Sequence, residues 1–193
     1  MRNGEFGRAE GFGVMAAPGL LWTVAHLLPD SESGGITIDG IGSSFVTGSR
    51  QVLVSPGRNW IVGDWAEVRI GWLPRPDYGL ESGVLDVASA VPLGASVILR
   101  MDSSEFGGSV VGVIDAAEAD RTGQRPRVWR DRVVIVKFEE ESAIREGRSG
   151  SPVLINDNGS YKFLGLISGC IEWPEAGRGW HTAVTRPPCR ACP

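Results

Sequence analysis

The amino-acid sequence predicts an all-β fold of antiparallel strands, on the basis of three observations. Short runs alternate apolar and polar side chains or are continuously apolar, which is typical of strands. Glycine (27 residues) and proline (12 residues) separate these runs as turn residues do. Only residues 139–146 have a pattern that fits a short helix. The 193 residues suffice for one large all-β unit or for two small barrels that share an interface.

The predicted strands follow one another along the chain. Residues 11–15 and 19–24 form a predicted hairpin, and strands at 36–39, 51–54 and 64–70 complete the first half. Residues 72–83 contain three turn-favouring residues and predict a connection between the halves. The second half has predicted strands at 96–100, 108–114, 132–138, 153–155, 163–168 and 180–184.

A serine in a glycine-rich turn is the candidate reactive group. Residues 146–153 read Glu-Gly-Arg-Ser-Gly-Ser-Pro-Val, and an apolar run follows. Glycine and proline favour a tight turn that leads into a strand, and such a turn directs the Ser149 hydroxyl outwards. The turn also leaves the N–H groups of Gly147 and Ser149 free to converge on one point, as an oxyanion hole requires.

A serine hydroxyl needs a base to become a nucleophile, and His26 is the candidate. His26 ends an apolar, strand-like run at 20–26. Two aspartates, Asp64 and Asp86, are the candidates for the carboxylate that orients its ring, and each is followed by the pattern apolar-Ala-x-apolar. Asp64 also opens an alternating strand, which favours Asp64 over Asp86.

The residues from Trp22 to His26 resemble the histidine motif of the trypsin/chymotrypsin-like serine proteases, and those from Gly147 to Pro152 resemble their serine motif. The order, histidine first and serine last, is also that of the family. The segments that begin at Asp64 and at Asp86 both resemble the family's aspartate motif. In this family the interval from histidine to aspartate is usually much shorter than the interval from aspartate to serine, which again favours Asp64. The resemblance covers residues 11–186 and is to proteases of the bacterial or viral intracellular kind.

This resemblance implies two antiparallel six-stranded β-barrels with the active site in the cleft between them. An N-terminal barrel (1–88) would carry His26 and Asp64, and a C-terminal barrel (89–188) would carry Ser149 and the substrate pocket, with a tail at 189–193. The implied activity is peptide-bond hydrolysis through an acyl-enzyme intermediate. It requires no metal and no cofactor.

The resemblance also implies which residues bind substrate. The pocket would be formed by Ala143, Ile144, Ser168, Gly169, Cys170 and His181. Neither residue at 143 and 144 is an acid, so a preference for Arg or Lys is not supported. His181 either lines the pocket and favours an acidic or polar side chain, or is a packed strand residue. Cys170 is expected to be a buried small apolar residue and not a reactive thiol.

Arg148 departs from the pattern of the secreted digestive relatives. They carry an aspartate before the nucleophile, which pairs with the N-terminus freed by zymogen cleavage. An arginine cannot form that pair, because two cations repel each other. We therefore expect regulation by a partner or a fused domain, and a serine turn that is held by its own contacts or ordered by substrate or partner.

The composition excludes several other classes of protein. A net charge of −4 gives no support for a nucleic-acid partner, and the five arginines at 121–132 are interspersed with two aspartates, at 120 and 131, as in a solvated loop. No apolar run is long enough to cross a membrane, and no signal peptide is evident, so a cytoplasmic location is expected. Three cysteines provide no disulfide framework, and the single CxxC at 189–192 is expected to be incidental.

The sequence and its resemblance therefore predict a serine endopeptidase that hydrolyses proteins or peptides and is regulated inside the cell. The alternative is a catalytically silent trypsin-like module that binds or signals within a larger assembly. The presence of His26, Asp64 and Ser149 together favours the protease, because a silent module has no physical reason to keep all three.

Overall fold

The computed structural model describes residues 10–17, 19–28, 35–38, 42–45, 50–54, 61–69, 86–101, 104–114, 133–143 and 147–187. Within these ranges the regular structure consists of β-strands and three short 3₁₀ turns, at Ala25–Leu27, Glu141–Ala143 and Pro174–Ala176. The all-β prediction is confirmed. No helix in the described part of the chain is long and apolar enough to span a membrane.

Twelve strands are described, six in each half of the chain. Those of the first half are β1 (Gly13–Ala17), β2 (Leu20–Thr23), β3 (Gly35–Ile38), β4 (Gly42–Phe45), β5 (Arg50–Val54) and β6 (Ile61–Arg69). Those of the second half are β7 (Ser96–Met101), β8 (Ser104–Ile114), β9 (Val133–Phe138), β10 (Pro152–Asp157), β11 (Ser160–Glu172) and β12 (Trp180–Thr185).

The second half forms a closed, antiparallel six-stranded barrel. Its strand order is β10-β11-β12-β9-β8-β7, and pairing of β7 with β10 closes it. Strand β9 begins with a continuous apolar run, and its burial explains why. Val134 and Val136 pack in the barrel core, whereas Val133 and Ile135 pack in a second apolar cluster with Ile114, Ile171 and Ala183. Both faces of β9 are therefore buried, and alternation is lost.

Among the described residues, the strands of the first half pair in two groups, and no pairing that would close them into a barrel is described. Four of them make an antiparallel sheet in the order β1-β2-β6-β5, and β3 pairs only with β4 as a separate hairpin in the described residues. Strand β4, which reads Gly-Ser-Ser-Phe, was not expected from the sequence. It lacks the apolar alternation by which the other strands are recognised.

An aromatic cluster joins the two halves. The rings of Trp22 and Trp65 meet edge to face with centroids 5.1 Å apart, and Trp22 lies 5.8 Å from Phe163 of β11. Val24 and Leu166 are buried in the same cluster. Trp65 adjoins Asp64 in the chain and Val24 is two residues before His26, so the cluster anchors the backbone beside both candidate catalytic residues.

The segment that follows the predicted connection lies against the second barrel. Phe163 donates its N–H to the carbonyl of Asp86 at 2.8 Å, and its own carbonyl accepts from the N–H of Ala88 at 2.9 Å. The connection at 72–83 itself lies outside the described residues, and the boundary at 88 stays a prediction. Of the helix predicted at 139–146, the described part is the 3₁₀ turn Glu141–Ala143, and residues 144–146 lie outside the described residues.

Candidate active site

His26 lies in the 3₁₀ turn that follows β2. The two residues before it, Val24 and Ala25, have no exposed surface, so they anchor the turn in the core. The turn is closed by a hydrogen bond from the Leu28 N–H to the Ala25 carbonyl, at 3.0 Å. The His26 side chain is 30% exposed. The end of the apolar run is thus buried in the core, whereas the imidazole of His26 is partly exposed to solvent.

Asp64, in β6, is fully buried and accepts three hydrogen bonds. Its Oδ1 accepts from the backbone N–H of His26 at 2.9 Å. Its Oδ2 lies 2.5 Å from His26 Nδ1 and accepts from the Ser168 hydroxyl at 2.7 Å. A buried carboxylate requires such partners. With the Nδ1 proton held by Asp64, the neutral ring carries its lone pair on Nε2.

Asp86 takes no part in this arrangement. Its side chain is 73% exposed, and its charged neighbour is the ammonium of Lys162 at 3.9 Å. Lys162 itself has a closer partner in Asp157, at 2.8 Å. Of the two aspartates that the sequence offered, Asp64 is therefore the one in contact with His26.

Ser149 lies in a turn that two glycines make possible. Gly147 and Gly150 have φ angles of 82° and 83°, in the left-handed region that other residues rarely adopt. The Gly150 N–H donates to the Ile167 carbonyl at 2.8 Å, and the Ser151 N–H donates to the Arg148 carbonyl at 3.1 Å. The turn is thus fixed by backbone hydrogen bonds on the side of the second barrel.

Backbone contacts bring this turn next to the His26 segment. The Ser149 carbonyl accepts from the Phe12 N–H at 2.8 Å, and the Phe12 carbonyl accepts from the Thr23 hydroxyl at 2.7 Å. A Cβ placed on Gly11 would lie 2.3 Å from Leu27 Cδ1 and 2.7 Å from the Ser149 carbonyl oxygen. Residues 11 and 12 therefore lie between the nucleophile turn and the histidine turn.

A second route joins Asp64 to the same turn through β11. Ser168 donates to Asp64, while the neighbouring Ile167 accepts from Gly150 and donates its N–H to the Ser151 carbonyl at 2.9 Å. The structure thus joins His26 and Asp64 by direct hydrogen bonds, and it links Ser149 to them through the backbone. The hydrogen bonds of the described residues include none between the Ser149 hydroxyl and the His26 ring. Catalytic hydrogen bonds of this type often form only when substrate is bound.

The two N–H groups expected to form the oxyanion hole lie in the same turn. Gly147 is exposed and Ser149 is partly exposed. Neither N–H has a hydrogen-bond partner among the described residues. A Cβ placed on Gly147 would meet nothing within 4 Å, so there is open space beside it.

The residues expected to form the substrate pocket differ in their exposure. Gly169 is partly exposed with open space beside it, and Cys170 is exposed. Cys170 is thus not the buried residue we expected, although partial desolvation raises the pKa of its thiol and disfavours the reactive thiolate. Ala143 is fully buried in the core of the second barrel. Ile144 lies outside the described residues.

Ser168 and His181 have environments that the sequence did not predict. The Ser168 side chain is directed at Asp64 and is therefore engaged in holding the carboxylate. His181 is fully buried, and neither of its ring nitrogens makes a hydrogen bond of ordinary geometry. Burial lowers the pKa of His181, as does the positive charge of Lys137, whereas the backbone of Gly179 acts in the opposite direction.

Phe12 and Thr23 are site residues that sequence reasoning missed. Phe12 acts through its backbone N–H and carbonyl, which every residue except proline possesses, so no sequence signal identifies it. Thr23, three residues before His26, lies within the motif, but its hydroxyl partner was not predictable. In the described residues, no group of three or more His, Cys, Asp or Glu side chains could hold a metal ion.

No protein-family model matches the chain, and no curated protein sequence matches it either. Solved structures do match. The Rv3671c protease of M. tuberculosis in its active form is 19% identical, with a TM-score of 0.52, over 91% of this chain and 68% of that chain. The NS6 protease of murine norovirus 1 is 14% identical, with a TM-score of 0.51, over 95% of this chain and 92% of that chain.

A further neighbour is an inactive mutant of the murine norovirus NS6 protease. In it a cysteine is replaced by alanine, and a C-terminal extension includes residue P1 prime of NS7. It is 12% identical to this chain, with a TM-score of 0.53, over 93% of this chain and 87% of that chain. The chain therefore has the trypsin/chymotrypsin-like fold, and its structural neighbours are bacterial and viral proteases.

Proposed function

We propose that this protein is a serine endopeptidase in which Ser149 is the nucleophile, His26 the general base and Asp64 the residue that orients His26. One observation carries the proposal: a fully buried carboxylate lies 2.5 Å from the Nδ1 of a partly exposed histidine. Burial of a charge is costly unless the charge is paired. Asp64 accepts hydrogen bonds from the His26 ring, the His26 backbone N–H and the Ser168 hydroxyl, which is the arrangement that a proton-transferring histidine needs.

The reaction follows from these groups. As the Ser149 oxygen attacks the carbonyl carbon of the scissile peptide bond, His26 Nε2 takes the hydroxyl proton. The resulting imidazolium is stabilised by Asp64, and the same proton then passes to the leaving amine as the C–N bond breaks. Water, deprotonated by His26, attacks the acyl-enzyme ester in the same way. Hydrolysis returns the proton to Ser149 and releases the acid.

The negative charge on the tetrahedral intermediate would be bound by the N–H groups of Gly147 and Ser149. Both are unpartnered among the described residues, and Gly147 has open space beside it. Donors fixed in advance stabilise the transition state without a cost of reorganisation, and removing one such donor costs about 10²–10³ in turnover. The positive φ angles of Gly147 and Gly150 hold this turn.

The proposed substrate is a protein or peptide. The norovirus neighbour with its extension toward NS7 supports a peptide substrate by analogy. In this chain, Gly169 and Cys170 have the exposure that contact with a substrate requires. His181 and Ala143 are fully buried, so neither would contact a substrate directly. His181 would influence the pocket only through the polarity of its buried ring. We further propose a cytoplasmic enzyme restrained by a partner or a fused domain.

The experiment is labelling of the purified chain with a fluorophosphonate, which phosphonylates activated serine hydroxyls. We expect the wild-type chain and Ser151→Ala to be labelled, and Ser149→Ala to remain unlabelled. Ser151 is a matched control because it is a buried serine in the same segment whose hydroxyl faces Met101. Labelling that persists in Ser149→Ala would contradict the assignment of the nucleophile.

Two controls separate the alternatives. The norovirus neighbour is inactive with a cysteine replaced, so Ser149→Cys should be alkylated by iodoacetamide faster than Cys170 if the site activates a nucleophile. A catalytically silent module would give no fluorophosphonate labelling of the folded wild-type chain, even after addition of casein as a general substrate. That result would refute the proposed activity.

A further inference from the structure

The side chain of Arg148 connects the serine turn to the second barrel. One guanidinium nitrogen contacts the sulfur of Met101, at the end of β7, and another lies 3.4 Å from the Ser142 carbonyl oxygen. The guanidinium carbon lies 5.2 Å from the centre of the Phe106 ring, in β8. Arg148 is only partly exposed. Its side chain therefore reaches three separate elements of the barrel.

These contacts suit a guanidinium and few other groups. Its flat face is attracted to the electron-rich face of an aromatic ring, while its edge donates hydrogen bonds in the plane. Phe106 is buried in the barrel core, so the ring is held in place and gives Arg148 a fixed surface. The Ser142 carbonyl belongs to the 3₁₀ turn Glu141–Ala143, which precedes the serine turn in the chain.

Arg148 stands between the two residues whose N–H groups form the proposed oxyanion hole. Its carbonyl accepts the Ser151 N–H, and Ser151 in turn contacts Met101 through its hydroxyl at 3.7 Å. Gly147, on one side, has open space around it and no side chain to restrain it. The orientation of the peptide groups at 147–149 thus depends on where the Arg148 side chain is anchored.

We propose that Arg148 is a positioning residue that holds the Gly147–Ser149 turn in the orientation required for oxyanion binding. The proposal rests on the proposed serine protease function. Arg148 touches no reacting atom and acts through the backbone on both sides of it. Backbone hydrogen bonds fix the turn at Gly150 and Ser151, and the contacts of Arg148 with the Phe106 ring, the Met101 sulfur and the Ser142 carbonyl add a side-chain anchor between Gly147 and Ser149.

The first test measures the turn itself and does not depend on activity. Hydrogen–deuterium exchange is followed for peptides that cover residues 147–151 in wild type, Arg148→Met and Arg148→Lys. The Gly150 and Ser151 amides, which have carbonyl partners, should be protected in wild type and exchange at least tenfold faster in Arg148→Met. Arg148→Lys, which lacks the planar donors, should give an intermediate rate.

A matched control is Arg100→Met. Arg100 is in β7 of the same barrel, but its side chain is 59% exposed and pairs with Glu105 at the surface. The Arg100→Met variant should therefore leave hydrogen–deuterium exchange at residues 147–151 unchanged. Equal exchange in wild type and Arg148→Met, in chains with the same unfolding midpoint, would overturn the proposal whether or not the protein is a protease.

The second test measures the consequence for catalysis. Arg148→Met should lower kcat on a peptide substrate by about tenfold to a hundredfold, which is less than the loss of an oxyanion donor itself because the donors are displaced and not removed, and should leave KM nearly unchanged. Added guanidinium ion at millimolar concentration should restore part of kcat in Arg148→Ala. A positioning role would be contradicted if Arg148→Met raised KM and left kcat unchanged. It would also be contradicted if guanidinium ion restored none of the kcat of Arg148→Ala.

A double-mutant cycle then tests the partner. Phe106→Leu keeps an apolar side chain but removes the ring face. If Arg148 acts by stacking on Phe106, the double variant Arg148→Met/Phe106→Leu should have the same kcat as Arg148→Met. Additive losses would show that Phe106 is not the anchor. Absence of activity in wild type with normal protection at 147–151 would refute the protease function and leave the anchoring of the turn intact.

Discussion

Replacing Asp64 by asparagine should nearly abolish catalysis while keeping the fold. Asparagine has almost the same volume as aspartate, so no cavity forms at this fully buried position. Its carbonyl oxygen can still accept the His26 N–H, as Oδ1 does at 2.9 Å. Its NH₂ group, however, then occupies the position of Oδ2, which faces both His26 Nδ1 and the Ser168 hydroxyl.

The size of the effect follows from what that NH₂ group can do. It donates to Nδ1, so the neutral ring must carry its proton on Nε2, where Ser149 needs a lone pair. The wrong tautomer in an otherwise intact triad lowers turnover by about 10⁴. At about 1.36 kcal/mol for each factor of ten, this is about 5.4 kcal/mol of transition-state stabilisation. The lost acceptor for Ser168 should reduce the free energy of unfolding by only about 1–3 kcal/mol.

The assay compares Asp64→Asn with Asp86→Asn on one cleavable peptide, with rates of fluorophosphonate labelling as a second readout. Asp86→Asn is the matched control, because Asp86 is exposed and contacts Lys162 only at 3.9 Å. Circular dichroism establishes that each variant is folded at the assay temperature. We expect Asp86→Asn to keep at least half of the wild-type rate.

Two results would refute this reasoning. Near-normal turnover in a folded Asp64→Asn chain would mean that the hydrogen bond to His26 Nδ1 does not set the reactive tautomer. Loss of turnover in Asp86→Asn alone would mean that another conformation of the chain, with a different aspartate beside His26, is the active one.

Three further predictions concern the surroundings of the site. Ser168→Ala removes a hydrogen bond of about 1.5–3 kcal/mol to the Asp64 carboxylate, so kcat/KM should fall about tenfold to a hundredfold, and unchanged kinetics would contradict this role. Because burial lowers the pKa of His181 from its ordinary value of 6.5, the unfolded chain binds its proton more readily, and stability should fall as pH drops through 6.5. Between pH 7.5 and pH 5.5 the urea midpoint of unfolding should fall less for His181→Phe than for wild type. Equal falls would exclude His181 as the cause. Gly150→Ala adds left-handed strain and a Cβ 1.9 Å from a backbone oxygen, so its thermal midpoint should fall much further than that of Gly159→Ala, which has a φ of 88° and open space.

Local sequence pattern was enough to predict most of the strands and the turn that carries Ser149, but it predicted neither β4 nor the 3₁₀ turn that carries His26. Strands such as β7 and β12 follow from apolar residues bounded by turn residues, because backbone alternation depends on neighbours only. The serine turn follows from the glycines at 147 and 150, which alone adopt its positive φ angles without strain. The resemblance in the histidine and serine motifs predicted the fold that the structural neighbours share.

Contacts between distant segments were decided only by the tertiary structure. The sequence favoured Asp64 over Asp86 without excluding Asp86, and the resemblance placed Ser168 in the pocket, because motif and spacing do not specify which side chains meet. Pairing of β2 with β6 brings His26 to Asp64, and packing of the first sheet against β11 brings Ser168 to the same carboxylate across 104 residues of chain. The anchoring of Arg148 on Phe106 likewise depends on closure of the barrel, which places the end of β7 and the strand β8 beside the serine turn. Local patterns fix backbone conformation, whereas the partners of a buried charge or a guanidinium are fixed by how the sheets close and pack.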